Sequence, residues 1–198
     1  MHDITQHYRR ENGASLIEIS LANLHQLFNT FDPSPFHDKD LDADAETYIV
    51  GAVRDFALHE PLKLVFYLPE EQRGLAGAVH LAQSIHNYFE YRRQSTTRDL
   101  RFRLSEGRTS LLIGIGFLVV CLFLREALRR WAGDATLGAA LAEGLLIAGW
   151  VAMWRPINIF LYEWWPMRRL ARVYAKIAAM EVEVRPPPSS RGTERPAE

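Results

Sequence analysis

Hydrophobic and polar positions change rhythm along the chain. From Ser15 they alternate, with Ile17, Ile19 and Leu21 on one side and Glu18 and Ser20 on the other, the period-two pattern of a half-buried strand. From Ala45 the period lengthens, and Ala45, Tyr48, Ile49, Ala52, Val53 and Phe56 fall on one helical stripe. Alternation returns in Leu62, Leu64, Phe66 and Leu68, opposite Lys63, Val65 and Tyr67. Strand, helix and strand in about 55 residues predict two parallel strands joined by a right-handed crossover. Between the first strand and that helix, Leu24 to Phe36 reads as a short helical turn and then a loop containing Pro33 and Pro35. Pro69 suits the first position of a further helix, with Glu70 and Glu71 in its first turn. Leu75, Ala78, Ala82, Ile85 and Phe89 would form its apolar side.

The rhythm then gives way to unbroken apolar runs. Leu111 to Leu124 holds no charge in fourteen residues, and a second arm from Thr136 to Trp154 is interrupted only by Glu143. A polar turn, Arg129 to Asp134, joins them. Each arm extends to about 18–20 residues, near the length a helix needs to cross a bilayer at about 1.5 Å per residue. Pro156 should kink or end the second arm, because it lacks an N–H and crowds the preceding turn. Met167 to Met180 reads as an amphipathic helix with Leu170, Val173, Tyr174 and Ile177 on one side. Alternation from Met180 to Val184 suggests a short third strand, since two strands alone leave both edges unpaired.

The fold class expected is therefore α+β/α: a small cytoplasmic β-α-β-α domain, a transmembrane helical hairpin and a C-terminal amphipathic helix. The boundaries are a flexible terminus at 1–13, the α/β domain with its basic juxtamembrane helix at 14–108, the hairpin at 109–156, an interfacial segment at 157–184 and a disordered tail at 185–198.

Charge changes this picture by orienting it. The formal net charge is −1, but residues 1–71 hold 13 acids against 5 bases and residues 72–180 hold 15 bases against 7 acids. Six arginines (92, 93, 98, 101, 103 and 108) precede the first arm, and Arg155, Arg168, Arg169, Arg172 and Lys176 follow the second. The turn carries Arg125, Arg129 and Arg130, partly offset by Glu126 and Asp134. The positive-inside rule then places both termini in the cytoplasm. Bases beside apolar arms imply anionic lipid as a partner rather than nucleic acid. Arg92, Arg93, Arg101, Arg103, Arg168 and Arg169, with Trp154, Trp164 and Trp165, are the candidate lipid-interface residues; all five tryptophans lie between 131 and 165. Met1 to Asn12 lacks the apolar stretch of a secretion signal, so the hairpin is expected to direct its own insertion.

Candidate chemistry is sparse. The acidic run from Asp38 to Glu46 resembles the start of a calcium loop, but Ala43 and Ile49 stand where the turn glycine and the bidentate glutamate belong. It reads better as a helix start, its acids meeting free N–H groups and the helix dipole. His80 and His86 are six apart, which puts them on different sides of a helix and out of reach of one ion. The lone cysteine, Cys121, excludes an intramolecular disulfide. No metal site or cofactor is expected. Glu143 is the exception, because an ionisable group inside an apolar arm is costly and calls for a role; Arg125 on the facing arm is its candidate partner, and proton or ion handling is the alternative.

The segments Phe31-Asp32-Pro33-Ser34-Pro35-Phe36 and Leu161-Tyr162-Glu163-Trp164-Trp165-Pro166 resemble stretches of an uncharacterised family of bacterial two-pass inner-membrane proteins. The resemblance implies an inner-membrane location and carries no activity with it. Three functions stay open: a membrane-anchored scaffold that self-associates or binds a protein through its sheet edge and the acidic stretch 32–46; a membrane-proximal enzyme using His37, Asp38 and Asp40; and a pore or transporter subunit with Glu143 on a polar path.

Overall fold

The computed structural model describes residues 8–29, 40–71, 78–132 and 136–187. The chain forms two compact units, residues 1–94 with 171–198, and residues 95–170.

The first unit is built on a four-stranded sheet in the order β1 (Arg10–Glu11), β2 (Ala14–Ser20), β3 (Leu62–Tyr67), β4 (Glu181–Arg185). The β2–β3 pair is parallel, as the strand–helix–strand pattern predicts, and β4 lies parallel on the far side of β3. The third strand expected at the C-terminal alternation is thus in place. At the N-terminal end Arg10 and Glu11 form a strand, against the flexible terminus expected at 1–13. They pair antiparallel with β2 across Asn12 (φ 51°) and Gly13 (φ 82°). Positive φ at both turn positions makes the tight hairpin whose twist matches its strands, and Asn-Gly is its sequence signature.

Alternation along the strands gives the sheet two unlike faces. One carries Ile17, Leu64, Phe66 and Val184, against which the helices pack. The other carries Leu16, Glu18, Lys63, Val65, Tyr67, Glu183 and Arg185. Leu16, Val65 and Tyr67 on this second face are buried together, so β2 is covered on both sides and is not the half-buried strand its alternation suggests.

Helix α1 (Ala43–Arg54) starts where an Asp42 carboxylate oxygen accepts the Asp44 N–H at 2.9 Å, which explains the acidic run as a cap. Its buried side is Ile49, Val50, Ala52 and Val53. Tyr48, expected on that stripe, is exposed, and Val50 is buried in addition. Helix α2 (Ala78–Ala132) gives this unit Leu81, Ile85 and Phe89, all fully buried. Val173, Tyr174 and Ile177 of the last long helix complete the core, with the Phe89 and Tyr174 rings 5.9 Å apart. The expected domain end at 108 therefore moves: the unit closes only when residues 171–185 return to it.

In the second unit, the rest of α2 lies antiparallel to α3 (Thr136–Ala152). After a one-residue break at Met153 come α4 (Trp154–Asn158), a π-helical turn (Ile159–Glu163) and α5 (Trp164–Ala178). The second arm thus ends at Ala152, four residues before Pro156, and helix resumes at Trp154. Proline offers no N–H to the Ala152 carbonyl, and at the break the Met153 N–H donates three residues back to the Trp150 carbonyl at 3.0 Å. Gly114 of α2 faces the released Ala152 carbonyl, and a Cβ there would lie 3.1 Å from that oxygen.

Candidate functional site

Two helices, within His80–Trp131 and Thr136–Ala178, are long and apolar enough to cross a membrane. Only 11% and 17% of their most apolar windows are buried, which is the reverse of a soluble core helix. Leu112, Phe123, Ile147, Trp150 and Val151 all project outward. The surfaces that do meet are small: a Cβ on Gly149 would stand 2.7 Å from Leu118 Cδ1 and 3.4 Å from Cys121 Cβ.

The two polar residues of the arms do not meet. Among the described residues no ion pair joins Arg125 to Glu143. Arg125 Nε is buried with no hydrogen-bond partner, and Glu143 is exposed beside the buried Ala142. The expected pairing within one hairpin fails because Gly138, Ala142 and Gly149 occupy the buried side of α3, and Glu143 is turned about 100° from Ala142.

The candidate lipid-interface residues divide in two. Arg101, Arg168, Arg169, Trp154 and Trp165 are exposed, and the Arg168 guanidinium stacks 5.9 Å from the Trp164 ring centre. The others have protein partners. Arg93 pairs with Glu90 at 2.5 Å, Arg103 with Glu106 at 3.1 Å, and Trp164 Nε1 donates to the Phe160 carbonyl at 2.7 Å. Glu106 also accepts from Arg155 at 2.6 Å, so the basic stretch is partly neutralised from within.

Arg92 belongs to a cluster that no local sequence pattern marks. Its Nε donates to Glu46 Oε1 at 2.9 Å, Tyr174 donates to the same oxygen at 2.8 Å, and Tyr88 donates to Glu46 Oε2 at 2.8 Å. One carboxylate from α1 thus holds α2 and α5. Burial, and then the hydrogen bond to Glu46, push the Tyr88 hydroxyl well above its ordinary range. Glu46 is already committed three times, so the cluster is a clamp rather than a reactive centre.

The second sheet face is a lattice of charge. Lys63 Nζ meets Glu181 at 2.8 Å and Glu183 at 2.6 Å, while Arg185 meets Glu183 at 2.8 Å and reaches across to Glu11 at 2.8 Å. Tyr67 donates to Glu18 at 2.5 Å. Hydrogen bonds from Arg185 and then Lys63 hold Glu183 down at about 2, against an ordinary 4.5. A lowered folded-state pKa contributes stability above pH 4.5 that is lost as the pH falls toward about 2. The side chain is 36% exposed, so solvent screening limits the effect to about 1 kcal/mol. Acid titration of the wild type should show this step, and Glu183→Gln should remove it; an unchanged acid profile would contradict the assignment.

β4 is an edge. The Arg185 carbonyl accepts the Leu68 N–H at 3.0 Å, and alternation in a parallel ladder then turns the N–H and C=O groups of Val182 and Val184 outward. No strand pairs with them among the described residues. Of the enzymatic candidates, His37 and Asp38 lie outside the described residues, as does most of the acidic stretch 32–46. The Asp40 carbonyl accepts the Asn29 N–H at 2.8 Å. No group of three or more possible metal ligands occurs among the described residues. Comparison with family models, with curated proteins and with solved structures returns no match.

Proposed function

We propose that the chain is a membrane-anchored scaffold of the bacterial inner membrane. Its two apolar helices lie in lipid, both termini lie in the cytoplasm, and the sheet unit engages a protein strand along β4. The outward-facing apolar surface of the two arms carries this reading, because water does not tolerate a contiguous face of exposed Leu, Ile, Phe and Val side chains on that scale. Topology supports it. β3 and β4 are neighbours in one sheet, so a chain that leaves after Leu68 must be back by Glu181, and an even number of crossings follows. The basic residues at 92–108 and 155–176 outnumber those of the turn, which favours the sheet on the cytoplasmic side. The outward N–H and C=O groups of Val182 and Val184 are a template for strand addition, which Pro186 and Pro187 confine to the five residues of β4.

The edge is tested by one substitution that spares the sheet. Val184→Pro removes an N–H that faces away from β3, whereas Glu183→Pro removes one that the ladder uses. A photo-crosslinking residue at Glu181 of the full chain in cells should form a protein adduct that Val184→Pro abolishes while the sheet amides stay protected. Glu183→Pro should unfold the sheet unit. An adduct unaffected by Val184→Pro would overturn the docking role of β4.

A further inference from the structure

We propose that the hairpin pairs with a second copy of this chain about a two-fold axis along the membrane normal, Glu143 of each copy meeting Arg125 of the other. The inference deepens the anchored-scaffold reading and rests on lipid surrounding the arms. An exposed carboxylate inside an apolar arm requires a partner, and its own hairpin supplies none. The same hairpin holds Arg125, which is half-buried, makes no ion pair among the described residues and has an Nε with no hydrogen-bond partner. Charges of opposite sign left over on one chain complement those of an identical chain.

Their depth fits this symmetry. Gly149 of α3 stands against Leu118 and Cys121 of α2. Stepping toward the turn, residue by residue in opposite directions, brings Arg125 level with positions 142–145. Arg125 lies seven residues before the end of α2 at Ala132, and Glu143 seven after the start of α3 at Thr136. Rotation about the membrane normal leaves depth unchanged, so groups level within one copy stay level across two. A two-fold interface uses the same patch twice and forms both pairs at once.

The surface beside Glu143 admits a close neighbour. Ala140, Gly144 and Ala148 are exposed at four-residue spacing on α3, the small-residue stripe along which membrane helices approach. A Cβ at Gly144 would touch nothing within 4 Å, so packing within a single copy gives no reason for a glycine there.

The test is charge exchange in the full-length chain, with two tags co-expressed and co-purified from native membranes and membrane flotation read separately. Wild-type copies should co-purify. Glu143→Arg alone and Arg125→Glu alone should each lower co-purification at least tenfold while floating with the membranes. Co-expressing the two single variants should restore it, since each altered charge then meets its opposite across the interface, a rescue that pairing within one hairpin cannot give. Glu143→Gln, which removes the charge at nearly constant shape, should weaken association and still float. Floating single variants that fail to rescue one another, or Glu143→Gln associating as the wild type does, would overturn the pairing. Wild type that fails to float would overturn the anchor itself.

Discussion

Replacing Glu46 by alanine is expected to destabilise the sheet unit by about 2–4 kcal/mol, the loss typical of a buried charged group whose partners are left behind. The carboxylate is only 15% exposed and accepts from Tyr88, Arg92 and Tyr174 at once. Removing it takes the acceptor away from Tyr88, Arg92 and Tyr174, leaving only the 3.3 Å hydrogen bond from Arg92 to Tyr174, and breaks the cross-links from α1 to α2 and α5. Arg92 is 40% exposed, so water recovers part of its hydration and keeps the loss below that of a fully buried pair. Glu46→Gln keeps a carbonyl acceptor and should lose about half as much. All five tryptophans lie in the other unit, so the readout is hydrogen exchange of the β3 amides of Leu64 and Phe66. Exchange that is unchanged in Glu46→Ala would show that the clamp bears no load.

The second large effect separates lipid from water as the solvent of the arms. Ile147 is 64% exposed on α3. In water, exchanging an exposed isoleucine for arginine changes stability by no more than about 0.5 kcal/mol and improves solubility. In hydrocarbon, a centrally placed arginine costs about 2.5–3.5 kcal/mol on insertion scales. Ile147→Arg should therefore lower the membrane-integrated fraction severalfold, while Thr136→Arg, at the end of the same helix, should have little effect. Equal integration of both variants would argue that the arms do not lie in lipid.

The arms, the parallel β2–β3 pair and the cap at Asp42 were legible because each is a local pattern: an apolar run, an alternation, an acid before a helical stripe. The β1 hairpin was legible too, in Asn12-Gly13, but the polar residues around it read as a loose end. What the sequence could not show is long-range. Glu46, Tyr88 and Tyr174 look like ordinary helix residues until residues separated by 128 positions meet. The direction of Glu143 was equally hidden, because periodicity in an all-apolar helix does not say which side its neighbour occupies. Pro156 signalled a break, which falls at Met153, where the N–H reaches back three residues to Trp150 and Gly114 lies close to the Ala152 carbonyl.

The anchor is tested most directly by nitroxide labels placed one at a time at Leu112, Ile147 and Glu181, on a Cys121→Ala background, in the full chain reconstituted in liposomes. Labels at 112 and 147 should relax strongly with oxygen and weakly with a water-soluble nickel chelate, and the label at 181 should do the reverse. Strong relaxation by the chelate at both 112 and 147 would contradict the anchor.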